Sequence, residues 1–432
     1  MHDKPVDAKR RKLLWGGAVG GALLAAPWLR PGDAGGGHND YFLRLQNALS
    51  EAGLYRPTLV LDAQRLQQNT GRLMHHISSK FAYRIVGKSL PSLPLIKSVR
   101  DQTGTDRVMV FHQPFLNLIA HEMPDSQLLL GKPMPVQAAK RFYSYHTNRR
   151  FDPAKQLQWL VDSPERLREY SELAAALNQT MQIVLELDVG LHRGGFRESG
   201  DVGLAILQLK QDPHLKFAGF MGYEAHASKM PRLIGGPVQA LSNAMKFYEQ
   251  CVAAAQNVLG EHYRPEQLTL NAGGSSTYQM YTSKDPCNEL AVGSGLVKPS
   301  DFDVQYLQDH IPAAFIATPV IKALDKTLVP GLENFSGLQA LLNPNTERSF
   351  FTYGGYWKAN PESPPGLSTN ALYGRSTNQE MLNGSTSVEL KRDDFVFLRP
   401  TQSEFVFLQF GDIAVFDGRH ISSLWPVFQQ GA

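Results

Sequence analysis

At 432 residues the chain is too long for one small domain, and has room for a large barrel with a smaller module or for two comparable domains. It is 42% apolar and 19% charged, with a net charge of +3 and no basic cluster beyond the N-terminus, which excludes nucleic-acid binding as the organising function. Two cysteines, Cys251 and Cys287, with no C-x-x-C pair exclude a disulfide framework and a cysteine-rich zinc site; two buried, inert thiols are expected, a single bridge between them being left open.

The N-terminus opens with a basic run, Lys9 to Lys12, followed by an apolar stretch from Leu13 to Leu29 that carries four glycines. That stretch is short of the roughly 20 apolar residues of a spanning helix. The order basic, apolar, then small and polar is that of an export signal, and the adjacent Arg10 and Arg11 before a weakly apolar core resemble a twin-arginine signal. Gly32 and Ala34 offer small residues for cleavage. Residues 1–37 are therefore set aside as export signal and linker, which implies a periplasmic protein. An uncleaved anchor holding it to the membrane on the periplasmic side is the alternative, and no other membrane contact is expected.

A short helix is expected at Tyr41–Ala52, then a strand at Thr58–Leu61, then Leu66, Asn69, Leu73 and Ile77 at helical spacing. From there apolar strands alternate with helices. The strands are read at Tyr83–Lys88, Val108–His112, Gln127–Leu130, Leu157–Val161, Gln182–Val189, Phe217–Tyr223, Gln267–Asn271 and Glu289–Gly293. Helices are read at Ser163–Asn178, with Ser163 as N-cap and Pro164 in the first turn, and at Pro237–Leu259. Eight such alternations predict a (β/α)8 TIM barrel over 38–299, although a doubly wound sheet would alternate too. Beyond Pro299 glycine, proline, asparagine and serine become frequent, and strand-like runs at Phe395–Leu398, Phe405–Phe410 and Ile413–Phe416 are parted by turns such as Asp417-Gly418. Residues 300–432 are read as a separate, mainly β domain.

In a parallel barrel the chemistry gathers at the C-terminal ends of the strands. Lys88 ends the first strand; Asp188, Gly190 and Arg193 follow the fifth; Tyr223, Glu224 and His226 follow the sixth. Gly273, Gly274, Ser275, Ser276 and Thr277 follow the seventh, and Gly293, Ser294 and Gly295 the eighth. A Gly-Gly-Ser-Ser-Thr loop offers consecutive backbone N–H groups and three hydroxyls, a cradle for a phosphate. A lysine opposite it is placed to form a Schiff base with an aldehyde. Phosphate and aldehyde together describe pyridoxal phosphate. Arg193 then faces the pyridine nitrogen, and because arginine does not give up its proton the ring would be a weaker electron sink. The plainer readings are a surface lysine, an ordinary Gly-Gly-Ser turn, a salt-bridging Arg193, a satisfied His226 and an Asp188 that only holds its own loop.

These segments, in this order, resemble the D-threonine aldolase and D-serine dehydratase family, whose barrel is of the alanine racemase N-terminal type. The motifs are "RPTLVLDAQRLQQNTGRL", "RIVGKS", "DVGLHRGGF", "GYEAH" and "NAGGSSTY", and the resemblance spans roughly residues 55 to 428. It implies pyridoxal phosphate as cofactor, with Lys88 as the Schiff-base lysine and Arg193 as the ring-nitrogen partner. By the same resemblance Gly273, Gly274, Ser275, Ser276 and Thr277 hold the phosphate, and Tyr223 lines the cofactor face. It also implies a homodimer in which the β domain of one protomer helps close the other's site. The sequence departs from the family at its metal ligands: Gln402 stands at the histidine, Glu404 at the Cys/Asp position, and Met381 at an upstream histidine. Gly295 stands where the family has a tyrosine. No metal is expected; a hard ion held by Glu404 and water is the alternative.

The expectation is an exported lyase acting on D-amino acids, small-molecule substrates carrying a β-hydroxyl, by retro-aldol cleavage or elimination. Released Lys88 would take the Cα proton and His226 the hydroxyl proton, with Glu404 or a bound metal assisting at the hydroxyl as the alternative. A racemase or epimerase using the same lysine, and a catalytically eroded cofactor-binding protein, are the alternatives.

Overall fold

The protein is described here by a computed structural model covering residues 30–328, 330, 331, 333 and 341–429. The basic and apolar N-terminal run, on which the export reading rests, lies outside the described residues. No helix among the described residues is long and apolar enough to cross a membrane.

Eight strands close into a barrel: β2 (Ala82–Val86), β3 (Arg107–Val110), β4 (Gln127–Leu130), β5 (Leu157–Val161), β6 (Met181–Leu187), β7 (Leu215–Gly222), β8 (Thr269–Ala272) and β9 (Glu289–Val292). Each falls on one of the eight apolar runs. Neighbours pair in parallel and in sequence order, and β9 returns to β2 with Ala82 opposite Glu289 and Ile85 opposite Val292. That closure excludes the doubly wound alternative. The strands are short and nearly continuous in burial because helices cover the outer face and packed side chains fill the inner one. The helix Pro164–Leu177 starts where Ser163 accepts the Arg166 N–H at 3.2 Å and stops at Asn178 in the left-handed region.

The chain forms two compact units that interleave in sequence. One contains Leu59–Phe315 together with Arg399–Ala432, hence the barrel and the end of the chain. Within it β1 (Thr58–Asp62) stays outside the barrel and pairs in parallel with β16 (Asp412–Phe416), which pairs antiparallel with β17 (Ile421–Pro426). The other unit contains residues up to Thr58 together with Ile316–Leu398 and is mainly β. Its strands are β10 (Ala314–Leu324), β11 (Arg348–Thr352), β12 (Ala359–Ser363), β13 (Ser368–Thr369), β14 (Met381–Gly384) and β15 (Phe395–Pro400). They run in the order β13-β14-β11-β10, with β15 on the other edge of β10 and β12 beside β15.

One segment read as a strand is not one. Phe405–Phe410 was expected to be extended, yet Glu404–Phe407 is a single helical turn with Val406 and Phe407 buried and Phe405 exposed. A run this short has no periodicity that separates strand from helix.

Candidate active site at the barrel mouth

β2 ends at Val86, and a 3₁₀ turn, Gly87–Ser89, carries Lys88 past the strand's C-terminal end. There it lines a cavity together with Arg193, Tyr223, Gly274, Ser275 and Glu404. Lys88 Nζ lies 2.8 Å from Glu404 Oε1 and 4.8 Å from the centre of the Phe111 ring. Its side chain is 35% exposed. The ammonium is thus held by a carboxylate and an aromatic face at the cavity wall rather than swung out into solvent.

The loop after β8 faces this lysine across the cavity lining. Ser275 Oγ accepts the Gly295 N–H at 2.9 Å and the Gly293 N–H at 3.4 Å, which ties the β8 loop to the β9 loop. The backbone N–H groups of Ser275 and Ser276 have no hydrogen-bond partner among the described residues, nor has the Ser276 hydroxyl. Two glycines are required by close approach. A Cβ on Gly274 would stand 2.6 Å from the Tyr223 ring, and one on Gly293 would stand 2.8 Å from the Val86 carbonyl. Thr277 turns inward: its hydroxyl donates to Glu224 at 2.5 Å and accepts the Gly274 N–H at 3.1 Å. Glu224 also accepts the Gly273 N–H at 3.2 Å. Burial raises the Glu224 carboxyl above its ordinary range, against these hydrogen bonds. Glu224 and Thr277 therefore shape the loop, while Ser275, Gly273 and Gly274 line the cavity. Ser276 and Thr277 do not line it.

After β6, Asp188 accepts N–H groups from Gly190 and His192 at 3.2 and 2.8 Å, and pairs with the His192 ring and Arg197, both at 3.1 Å. Burial opposes its ionisation, but the His192 bonds outweigh this and hold its carboxyl below the ordinary range. Asp188 is the pin of this loop, as its plainer reading has it. The loop delivers Arg193, whose guanidinium lies 5.3 Å from the centre of the Tyr223 ring. Burial, then the Glu224 charge, pushes the Tyr223 phenol up to about 12, so it is a neutral donor. His226 does not line the cavity; its ring sits against Gly190, whose Cβ would be 3.0 Å from Nε2. Burial, then His192, lowers its pKa, and its buried Nδ1 has no hydrogen-bond partner.

The positions that the resemblance gives to a metal are engaged otherwise. The Gln402 amide donates to Asp301 at 3.1 Å, and Glu404 faces the Lys88 ammonium. Among the described residues no group of three or more His, Cys, Asp and Glu side chains could hold a metal ion. An amide and a carboxylate already paired to a lysine do not fit a divalent ion.

Two features of this site were beyond sequence reasoning. The pairing of Glu404 with Lys88 was not visible, because it joins segments over three hundred residues apart. Glu224 stood in the quoted strand-end motif, but nothing local showed that it clamps the β8 loop.

Apart from Gln402 and Glu404, the site residues described above lie within one recognisable domain. No curated protein matches the chain. Among solved structures, a D-threonine aldolase from Filomicrobium marinum superposes with a TM-score of 0.66 at 16% identity, covering 86% of this chain and 94% of that one. A D-threo-3-hydroxyaspartate dehydratase from Delftia sp. HT23 gives 0.64 at 16%, covering 87% and 98%. An alanine racemase from Bacillus anthracis gives 0.64 at 13%, covering 86% and 98%. These likenesses are of fold. The family profile described as alanine racemase, N-terminal domain, matches residues 61–301, more than half of the chain, and the protein belongs to that family.

Proposed function

We propose that the protein is a pyridoxal-phosphate enzyme acting on D-amino acids, a lyase that cleaves or dehydrates those with a β-hydroxyl. The observation that carries this reading is a lysine and a serine-glycine loop on the wall of one cavity at the C-terminal end of a parallel barrel. The residues fit the cofactor: glycines packed to contact and the free backbone N–H of Ser275 on the cavity wall suit a phosphate. Lys88 would hold the aldehyde, Ser275 the phosphate, and Arg193 the ring nitrogen, with Tyr223 along one face; Ser276 stands behind the wall. Thr277 would act through the loop. When bound, the cofactor supplies an electron sink for a bond broken at the substrate's Cα. The Lys88 amine, once released, takes up the Cα proton when elimination is the outcome. The Phe111 and Tyr223 rings supply apolar wall to the cavity that Lys88 lines. His226, kept neutral by its lowered pKa, is a proton acceptor outside the cavity wall rather than at it.

The same reading includes export by the twin-arginine-like leader and a homodimer. Arg10 and Arg11 before the apolar run support the first, and family resemblance the second. Cell fractionation of the wild type against an Arg10→Lys, Arg11→Lys double variant, and sedimentation of the purified protein, test the two.

The function itself is tested by the absorption spectrum of protein incubated with pyridoxal phosphate, before and after borohydride, beside Lys88→Ala. A visible band that borohydride bleaches and the variant lacks is the expected result; a colourless protein overturns the reading. Product analysis with D-threonine and D-serine then reads the reaction: glycine with an aldehyde for cleavage, a keto acid with ammonia for elimination. The L-isomer instead would mark a racemase.

A further inference from the structure

Ahead of the helix Asp40–Glu51, residues 32–38 form a strap bonded to the mainly β unit to which they belong. Asn345 holds the strap at two points, accepting the Ala34 N–H and donating to the Gly32 carbonyl, both at 2.9 Å. Between them the Asp33 carboxylate accepts the Ser387 hydroxyl at 2.6 Å and the Gly35 N–H at 2.8 Å. The Gly36 carbonyl accepts the Glu389 N–H at 3.3 Å. The His38 ring donates to the Phe395 carbonyl at 3.1 Å and lies 2.7 Å from Ser363 Oγ. The fit leaves no room for side chains: a Cβ on Gly35 would lie 2.1 Å from Ser385 Oγ, and one on Gly366 would lie 2.6 Å from Gly35 Cα. This is also where the leader would have to be cut. Cutting calls for two small residues separated by one other, just past the apolar run. Between Leu29 and Asp40 every such pair falls in the strap: Gly32 with Ala34, Ala34 with Gly36, and Gly35 with Gly37.

We propose that the strap withholds this stretch from a leader peptidase, so that the exported protein keeps its leader and stays at the membrane by the run Leu13–Leu29. A peptidase takes its substrate extended, pairing with backbone N–H and C=O groups beside the bond it cuts. For a cut after Ala34 those groups include the Ala34 N–H and the Gly32 carbonyl, and both are spent on Asn345. Gly35, on the other side of the bond, is packed against Ser385 without clearance for a methyl. Cuts after Gly36 or Gly37 fall where the Glu389 N–H and the His38 contacts hold the chain. Cleavage follows the hydrogen bonding of the backbone concerned, not its nearness to a terminus. The twin-arginine route carries proteins already folded, so the strap is docked before a peptidase meets it. Distance acts in the same direction. Only Arg30 and Pro31 separate the apolar run from the strap, about 10 Å of extended chain, which sets the folded unit close against the membrane face. The run itself is at the short end of the range that spans a bilayer. This inference rests on the export reading above.

The test expresses the full chain in a bacterium with a twin-arginine system and reads fractionation, intact mass and digestion by protease added to spheroplasts. The wild type should sediment with the membranes, be digested from outside, and carry its leader through Leu29. A soluble periplasmic wild type whose chain begins before or within the strap overturns the proposal. Two variants locate the cause. Asn345→Ala combined with Ser387→Ala loosens the strap, and should move the protein to the soluble fraction with loss of residues 1–34. A loosened protein that still melts cooperatively yet keeps its leader overturns the strap's role. The second variant leaves the strap docked and serves where the first unfolds. A Gly-Ser spacer carrying Ala-Ser-Ala, inserted between Arg30 and Pro31, should be cut within the spacer and released, with the melt of the purified protein unchanged. An uncut spacer means that the leader is kept for a reason other than the strap, and overturns the proposal. A wild type found only in the cytoplasm, out of reach of external protease, overturns the export reading itself. An exported wild type that has lost its leader overturns the strap's role alone.

Discussion

Gly274 carries no side chain because the Tyr223 ring occupies the place of one. Alanine there would put a methyl 2.6 Å from that ring, closer than non-bonded carbons approach, so the ring must shift. Gly274→Ala is expected to cost about 1–3 kcal/mol of stability, as overpacking does, and to weaken pyridoxal-phosphate uptake, both read from thermal melts with and without the cofactor. A second residue gives a pH signature. The Glu186 carboxyl is raised to about 7 by burial above all, with Asp162 and Asp188 adding and Arg193 opposing. A carboxyl raised in the folded state contributes stability that is full below its ordinary range and lost as pH rises through 7. Relative to the wild type, Glu186→Gln should be neutral near pH 4 and more stable by on the order of 2–3 kcal/mol at pH 8, seen in urea melts at the two pH values. The cavity-lining residues Lys88, Arg193, Tyr223 and Ser275 were legible singly, since each follows a strand end. Their partners were not, because Glu404 meets Lys88 only through the folded chain.

At the scale of elements, the barrel is held together by a charged plug that reaches the cavity through Asn271. Arg84 on β2 and Glu289 on β9 are almost wholly buried and pair at 2.5 and 2.9 Å, while Arg107 on β3 adds a contact at 2.6 Å and Asn271 on β8 one at 2.8 Å. Arg84 also donates to the Val108 and Gln127 carbonyls, so one guanidinium bonds to β3, β4 and β9 from its place on β2. Burial alone would raise the Glu289 carboxyl; the two arginines outweigh it and hold it below the ordinary range. Removing that carboxylate leaves two cations without their counter-charge. Glu289→Gln is expected to lose about 3–5 kcal/mol in a denaturant melt. Because the carboxyl is lowered, the wild type's advantage should also fade as pH drops below the carboxylate range. The barrel itself was legible because eight buried parallel strands must each be a short apolar run. The turn at Glu404–Phe407 was misread as a strand because its apolar residues are too few to show a period.

For the molecule as a whole, the order of the chain and the order of the fold differ, and the difference predicts opposite fates for two deletions. The final segment from Arg399 belongs to the barrel unit: β16 pairs with the fully buried β1, Arg399 grips Asp303 and the Lys298 carbonyl, and Glu404 reaches Lys88. No composition shift announces this return, since a parallel pairing between Leu59 and Ile413 leaves no local trace. A chain stopped at Leu398 loses these partners and uncovers the apolar β1 edge, an invitation to aggregate. It should be recovered as insoluble protein. The insertion between Phe315 and Arg399 is another matter. Ile316 and Leu398 are opposite one another in the antiparallel β10–β15 pair, and such partners are only about 5 Å apart. A two-residue hairpin turn spans that gap, so replacing 317–397 by Asn-Gly should leave the barrel's chain path unstrained. That variant should stay soluble and melt cooperatively. If the excised chain aggregates as the truncated one does, the barrel unit depends on the inserted strands for more than its chain path, and the division into two compact units is not one of stability.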